Sequence, residues 1–168
     1  MIKTADIIDR VLKRVCEFFM WANFLLIFII VTQVIGRYLF NWTSTALEEL
    51  QWHFFAIAMM TGISYAIIEN SHVRADVLFN KFSLKWQCRI EILACLLFVL
   101  PFFSFILWHS LPFVERSWAV GETSESPGGL PLRWLIKSLI PFACALINFA
   151  AISRILRAVD KMRSSHVS

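Results

Sequence analysis

The sequence predicts an all-α integral membrane protein with four transmembrane helices, and three observations support this prediction. Hydrophobic residues make up 58% of the 168 residues and charged residues only 17%, whereas a soluble domain is roughly 45–50% apolar and about 25% charged. Four apolar runs are each long enough to cross the ~30 Å hydrocarbon layer of a bilayer. The basic residues cluster beside these runs. A chain this short is expected to form one domain over residues 1–168.

The four predicted spans cover residues 18–40, 50–68, 90–114 and 134–155. The first is too long for the apolar core of a signal peptide, so we interpret it as a retained span. The last two contain a proline, which membrane helices tolerate because neighbouring helices and side chains satisfy the freed backbone group.

Two shorter segments complete the predicted architecture. Residues 4–15 have the pattern of an amphipathic helix that lies in the membrane interface before the first span. A short helical turn is expected over 76–82, and Ser83 is a candidate N-cap for a third helix that begins in the cytoplasm. The apolar face of the N-terminal helix consists of Ile7, Ile8, Val11, Leu12 and Val15.

Lysine and arginine are distributed unevenly about the spans. Twelve of the sixteen lie in the N-terminal segment, the loop between the second and third spans, or the C-terminal tail, and four lie on the other side. Cytoplasmic loops of membrane proteins carry an excess of these residues. We therefore predict that both termini are cytoplasmic.

Charged and polar residues flank the first outer turn. Arg37 ends the first span, and Glu48 and Glu49 open the second. An ion pair across this short turn would fix the angle of a helical hairpin, because charges near a membrane are usually paired; solvation at the interface is the simpler alternative. Gln33 lies one turn before Arg37 on the same helix face and could bond another helix, in this chain or in a partner.

Histidine and cysteine provide the other candidates for chemistry. His53 and His109 are placed by the topology at similar depth near the outer side, where two facing histidines could ligate a haem. The simpler interpretation is that each bonds a neighbour or water at the interface. The cysteines form no C-x-x-C pair, and we expect no disulfide and no metal site. The four cysteines are Cys16, Cys88, Cys95 and Cys144.

The sequence lacks the features of an enzyme or of a self-contained transporter. It contains no phosphate-binding loop, no H-E-x-x-H motif and no nucleophile elbow, and the basic residues follow the membrane pattern rather than that of a nucleic-acid-binding protein. Every Asp and Glu lies at a span end or in a loop, which argues against an ion path through this chain alone. We therefore expect no catalytic site and no cofactor.

Four motifs in order resemble the small membrane subunit of tripartite ATP-independent periplasmic (TRAP) transporters, over essentially the whole chain. One departure from the expected pattern is Glu69-Asn70-Ser71. The motifs are Gly36-Arg37-Tyr38-Leu39-Phe40, Leu47-Glu48-Glu49-Leu50, His72-Val73-Arg74-Ala75-Asp76-Val77-Leu78, and Glu125-Ser126-Pro127-Gly128-Gly129-Leu130-Pro131-Leu132-Arg133-Trp134. The candidates for structural or interface roles are Gln33, Arg37, Glu48, Glu49, His72, Arg74, Asp76, Gly128, Gly129 and Pro131.

The resemblance implies partners and an activity. Such transporters combine a small subunit with a large, many-spanning membrane subunit in the bacterial or archaeal inner membrane. A soluble periplasmic protein delivers the substrate, typically an organic acid, and a sodium gradient drives uptake. The small subunit is expected to brace the large one and to carry no substrate or ion site. The alternative is a haem-binding membrane anchor of a respiratory complex, which rests on His53 and His109.

The predicted topology can be tested with single cysteines introduced at positions 4, 120 and 165. A membrane-impermeant thiol reagent added from the periplasmic side should label position 120 and neither of the other two, because of the three positions only 120 is expected outside. Periplasmic labelling at position 4 or 165 would contradict the predicted orientation.

Overall fold

The computed structural model describes residues 2–69 and 82–164, and their secondary structure is helical. Four helices are each long and apolar enough to span a membrane, which confirms the predicted fold class. They are α1 (Ile2–Phe40), α2 (Thr45–Ile68), α3 (Leu84–Ala119) and α4 (Arg133–Ser164). We refer to the end of the bundle formed by residues 41–44 and 120–132 as the hairpin end, and to the opposite end as the termini end.

The N-terminal segment is helical, as expected, but it continues directly into the first span. The predicted apolar face divides in two: Leu12 is buried and packs in the core, whereas Ile7 and Val11 are exposed. The side chain of Asp9 is buried on this helix. With 39 residues, α1 is about 58 Å long, well beyond the ~30 Å hydrocarbon layer.

Helix α3 begins at Leu84, directly after the predicted cap residue. Ser83 has the extended backbone conformation of an N-cap, although its side chain makes no capping hydrogen bond. A π-helical turn at Cys95–Val99 interrupts the α-helical hydrogen-bonding pattern. Pro101 follows this turn and has no N–H to donate to a carbonyl one turn earlier, which is a local reason for the change in winding.

Helix α4 is the centre of the bundle, because it contacts α1, α2 and α3. Helices α1 and α2 form an antiparallel hairpin, whereas α3 packs chiefly on α4 within the described residues. Small side chains on α4, including Ala143, Ala150 and Ala151, are buried and allow close approach of neighbouring backbones. A cluster of buried residues joins three helices: Leu12, Ile67, Leu146, Ile147 and Ala150.

Ion pairs and hydrogen bonds tie the helices together at the termini end. The buried carboxylate of Asp9 on α1 accepts a hydrogen bond from Ser153 on α4 and a 2.7 Å bond from Nε of Arg157. Asp6 binds the same guanidinium, with 2.8 Å between its Oδ1 and Nη2 of Arg157. The N-terminal part of α1 is therefore fixed to the C-terminal part of α4.

Two further ion pairs connect the remaining helices at this end. Lys13 of α1 pairs with Glu69 at the end of α2, and Arg154 of α4 pairs with Glu91 of α3. The second pair is largely buried, since its side chains are 12% and 18% exposed. Residues 76–81 of the expected helical turn, and the candidates His72, Arg74 and Asp76, lie outside the described residues.

Replacing Asp9 by alanine should destabilise the purified protein more than replacing Asp6. Asp9→Ala removes the closer of two acceptors of the buried Ser153 hydroxyl, the other being the Ala5 carbonyl at 3.4 Å. It also weakens the fixation of Arg157, and the cost should be about 1–3 kcal/mol. The matched control is Asp6→Ala, since the Asp6 side chain is 43% exposed and an exposed ion pair contributes only ~0–1 kcal/mol. Thermal unfolding in detergent compares the two; equal midpoints would contradict a structural role for Asp9.

Candidate interaction site at the hairpin end

The turn between α1 and α2 is tight because its first residue adopts a left-handed conformation. Asn41 has a φ of +50°, which asparagine tolerates better than most residues. The N–H of Trp42 then donates a 3.0 Å bond to the carbonyl of Gly36, as in a helix C-cap. A Cβ at Gly36 would lie 2.8 Å from the Trp42 ring, so glycine is needed for this contact.

Gln33, Arg37 and Glu48 come together across the hairpin. Gln33 is only 3% exposed; its Nε2 donates a 3.1 Å bond to Oε1 of Glu48, and its Oε1 accepts a bond from Gln51. Nη2 of Arg37 lies 3.6 Å from the same Glu48 oxygen. The Arg37 and Glu48 side chains are 57% and 49% exposed, so the buried glutamine makes the more enclosed link between the helices.

Glu49 points away from this network and holds the loop between α3 and α4. Its carboxylate accepts a hydrogen bond from the Ser124 hydroxyl and a 2.7 Å bond from the backbone N–H of Leu130. Of the two glutamates considered as partners for Arg37, the structure therefore pairs Glu48. Consecutive helical residues point about 100° apart, so only one of them can face α1.

The loop between α3 and α4, residues 120–132, is called the outer loop below. Two of its glycines allow its conformation. Gly128 has a φ of +74°, which favours glycine. A Cβ at Gly129 would lie 2.5 Å from the Cβ of Ser124 and 2.9 Å from Oε1 of Glu49, so the loop needs glycine there as well. Ser124 N–H donates a 3.1 Å bond to the Leu130 carbonyl, which closes the turn. Pro131 is exposed.

A second anchor of the loop was not anticipated from the sequence. Lys137 pairs with Glu122, and the Lys137 ammonium lies 4.2 Å from the ring centre of Phe113. The pairing with Lys137 lowers the pKa of the Glu122 carboxyl. Because the pKa is lowered, the stabilisation is present at neutral pH and is lost as the pH falls through this pKa. The sequence did offer one signal for this pair. Glu122 precedes the turn-rich segment 124–131 and Lys137 follows it, so opposite charges flank the turn.

The two histidines do not form a common site in this arrangement. His53 lies on α2 and His109 on α3, which packs chiefly on α4. His109 is exposed, its Nδ1 lies 3.0 Å from the carbonyl of Phe105, and its ring stacks on that of Phe105 at 4.1 Å. The structure therefore does not support the haem interpretation. Across residues 2–69 and 82–164, there is no cluster of three or more His, Cys, Asp or Glu able to hold a metal.

Comparison with known proteins identifies one family. Residues 26–161 match the model of the family described as "Tripartite ATP-independent periplasmic transporters, DctQ component". The match begins within α1 and ends within α4, so it includes the hairpin and the outer loop. No individual curated protein matches the chain.

Replacing Gly129 by alanine should disrupt the attachment of the outer loop to α2. The new methyl group would occupy the space of Ser124 and Glu49, and an overpacked site typically costs about 1–3 kcal/mol. We expect a lower thermal midpoint of the purified protein and increased proteolysis within the loop.

The matched control is Gly62→Ala on α2, where an added Cβ meets no atom within 4 Å. Alanine favours a helix over glycine by about 0.5–1 kcal/mol, so this variant should be neutral or more stable. A Gly129→Ala protein as stable as the Gly62→Ala protein would show that the loop does not depend on this close contact.

Proposed function

The chain belongs to the DctQ component family of tripartite ATP-independent periplasmic transporters, and from this premise we propose that it is the small scaffold subunit of a sodium-driven carrier for organic acids. The family is a transporter component rather than a catalytic one, and the chain is a multi-pass membrane protein. In these systems the DctQ component works with the large DctM subunit and a periplasmic binding protein. We infer that the same two partners act with this chain.

The observation that carries the proposed bracing role is the distribution of charge along the helices. The described ion pairs lie at the two ends of the bundle: those of Asp9, Lys13 and Arg154 at the termini end, and those of Arg37 and Lys137 at the hairpin end. Carriers place ionisable or discontinuous elements at mid-membrane to bind substrate and ions. A bundle whose described ion pairs all lie at its two ends suits a static support.

We further propose that the hairpin end faces the periplasm and that both termini lie in the cytoplasm of the inner membrane. The uneven distribution of lysine and arginine supports this orientation. The outer loop held by Glu49 is then on the side from which a periplasmic binding protein approaches. Sodium and substrate sites are assigned to the large subunit.

The proposal predicts that uptake requires this chain and that the chain alone transports nothing. Proteoliposomes should contain the large subunit with or without this chain, the binding protein loaded with a radiolabelled organic acid, and an inward sodium gradient. Uptake should occur only in the complete system, since this chain offers no charged mid-membrane site. Vesicles that hold this chain alone serve as the control.

Two results would contradict the proposal. Sodium-driven uptake by vesicles with this chain alone would show that it is itself a carrier. Undiminished uptake by the large subunit and binding protein without this chain would show that the chain is not needed as a support.

A further inference from the structure

The helices expose two different kinds of surface. Between Leu96 and Trp108, the exposed side chains of α3 are apolar apart from Ser104 and include large aromatic rings. A serine hydroxyl in a helix can bond a carbonyl of its own preceding turn, as Thr32 does to Phe28 at 2.8 Å. This surface of α3 is chemically suited to acyl chains.

The surface of the α1–α2 hairpin differs because it combines a concave shape with a polar side chain, that of Gln51. A groove of about 190 Å³ runs between the two helices, and no residue of α4 lines it. We call it the hairpin groove. Its lining residues are Leu26, Ile30, Gln51, Trp52 and Phe55.

Polar side chains of α1 and α2 lie on the same helix faces as residues of the hairpin groove. On α1, Asn23, Ile30 and Arg37 follow at intervals of seven residues, which places them on one helix face. Asn23 and Arg37 are exposed. On α2, Glu48 lies one turn before Gln51 and Trp52. Of these polar residues, only Gln51 lines the groove. Asn23 bonds the carbonyl of Met20, and Arg37 pairs with Glu48.

The depth of Gln51 makes lipid an unsuitable occupant. Helix α2 has 24 residues, or about 36 Å, and Gln51 lies six residues, about 9 Å, from its start. Centred on a ~30 Å hydrocarbon layer, α2 places Gln51 several ångströms inside that layer. A carboxamide has two donors and an acceptor oxygen, and the bond from Gln51 to Gln33 uses one donor. If Gln51 faced acyl chains, its remaining polar groups would have no hydrogen-bond partner, and burying them would be costly.

We propose that the hairpin groove binds a transmembrane helix of the large subunit that inserts a hydrogen-bonding side chain beside Gln51, and that α3 faces lipid. The inference rests on the proposed function and adds the surface through which the two subunits meet. The apolar rings of Trp52 and Phe55, which are 70% and 49% exposed, provide the packing area. The remaining polar groups of Gln51 then find a protein partner instead of hydrocarbon.

Site-specific photo-crosslinking in the assembled complex tests this assignment. A photoreactive phenylalanine analogue is introduced at Ile30 or Trp52 in the hairpin groove, or at the control positions Phe102 and Phe105 on α3. The control side chains are 60% and 64% exposed and apolar. The complex is irradiated in the membrane, purified through this chain, and its adducts are identified by mass spectrometry.

We expect the analogue at Ile30 or Trp52 to form adducts with the large subunit. We expect no such adducts from Phe102 or Phe105. Three results would each overturn the assignment. They are adducts with the large subunit from α3 alone, adducts between two copies of this chain from the groove, and lipid adducts only from the groove. If the large subunit does not co-purify with the unmodified chain, the proposed function itself fails, which distinguishes the two failures.

A groove-filling variant provides an independent measurement. Ile30→Trp adds an indole ring to the ~190 Å³ groove, and Phe102→Trp is the matched control on α3. We expect Ile30→Trp to lose most of the co-purified large subunit while the thermal midpoint of the isolated chain stays unchanged, and Phe102→Trp to retain it. Equal recovery of the large subunit with both variants would contradict the proposal.

Discussion

The close approach of three helices to α4 is the constraint on which the rest of this structure depends. In a bilayer, apolar side chains gain little by leaving lipid for one another, so helix association relies on tight packing and polar contacts. The buried alanines of α4, such as Ala143, Ala150 and Ala151, permit that packing. Since α3 has few other neighbours, its position is determined by α4 as well.

Polar contacts at the two ends complement the packing in the middle. At the termini end, Arg157 joins α4 to Asp6 and Asp9 of α1. At the hairpin end, Gln33 joins α1 to α2, and Glu49 joins α2 to the outer loop. The charged contacts lie at the two ends of the bundle, and each contact links two different elements of the structure. The arrangement fixes helix angles without burying a charge at mid-membrane.

The sequence predicted the parts of this structure that depend on periodicity and charge. The four spans follow from apolar run length, and the short turn between two helices suggested that Arg37 pairs with Glu48 or Glu49. Gln33 was expected only to bond another helix, in this chain or in a partner. The sequence could not decide between Glu48 and Glu49 as the partner of Arg37, because that depends on the rotation of α2. The Asp9–Arg157 contact joins residues 148 positions apart, so it has no local signal. Pro101 is a local cause of the π-helical turn, but Pro112 and Pro141 lie inside regular α-helix, so a proline alone does not predict such a turn. The haem alternative is not supported, because similar depth does not by itself bring together His53 on α2 and His109 on α3.

The lengths of α1 and α4 have a consequence for how the protein adapts to its membrane. With 39 and 32 residues, the two helices are about 58 Å and 48 Å long, and both extend beyond the ~30 Å hydrocarbon layer. Single membrane helices commonly adjust to a change in bilayer thickness by tilting. Here Asp9 and Arg157 join the two helices beyond the core cluster, so neither can change its tilt alone. Hydrophobic mismatch must then be absorbed by rotation of the whole bundle or by deformation of the surrounding lipid. The protein would impose its own thickness on the bilayer next to it, and a neighbouring subunit would meet a membrane of constant local depth.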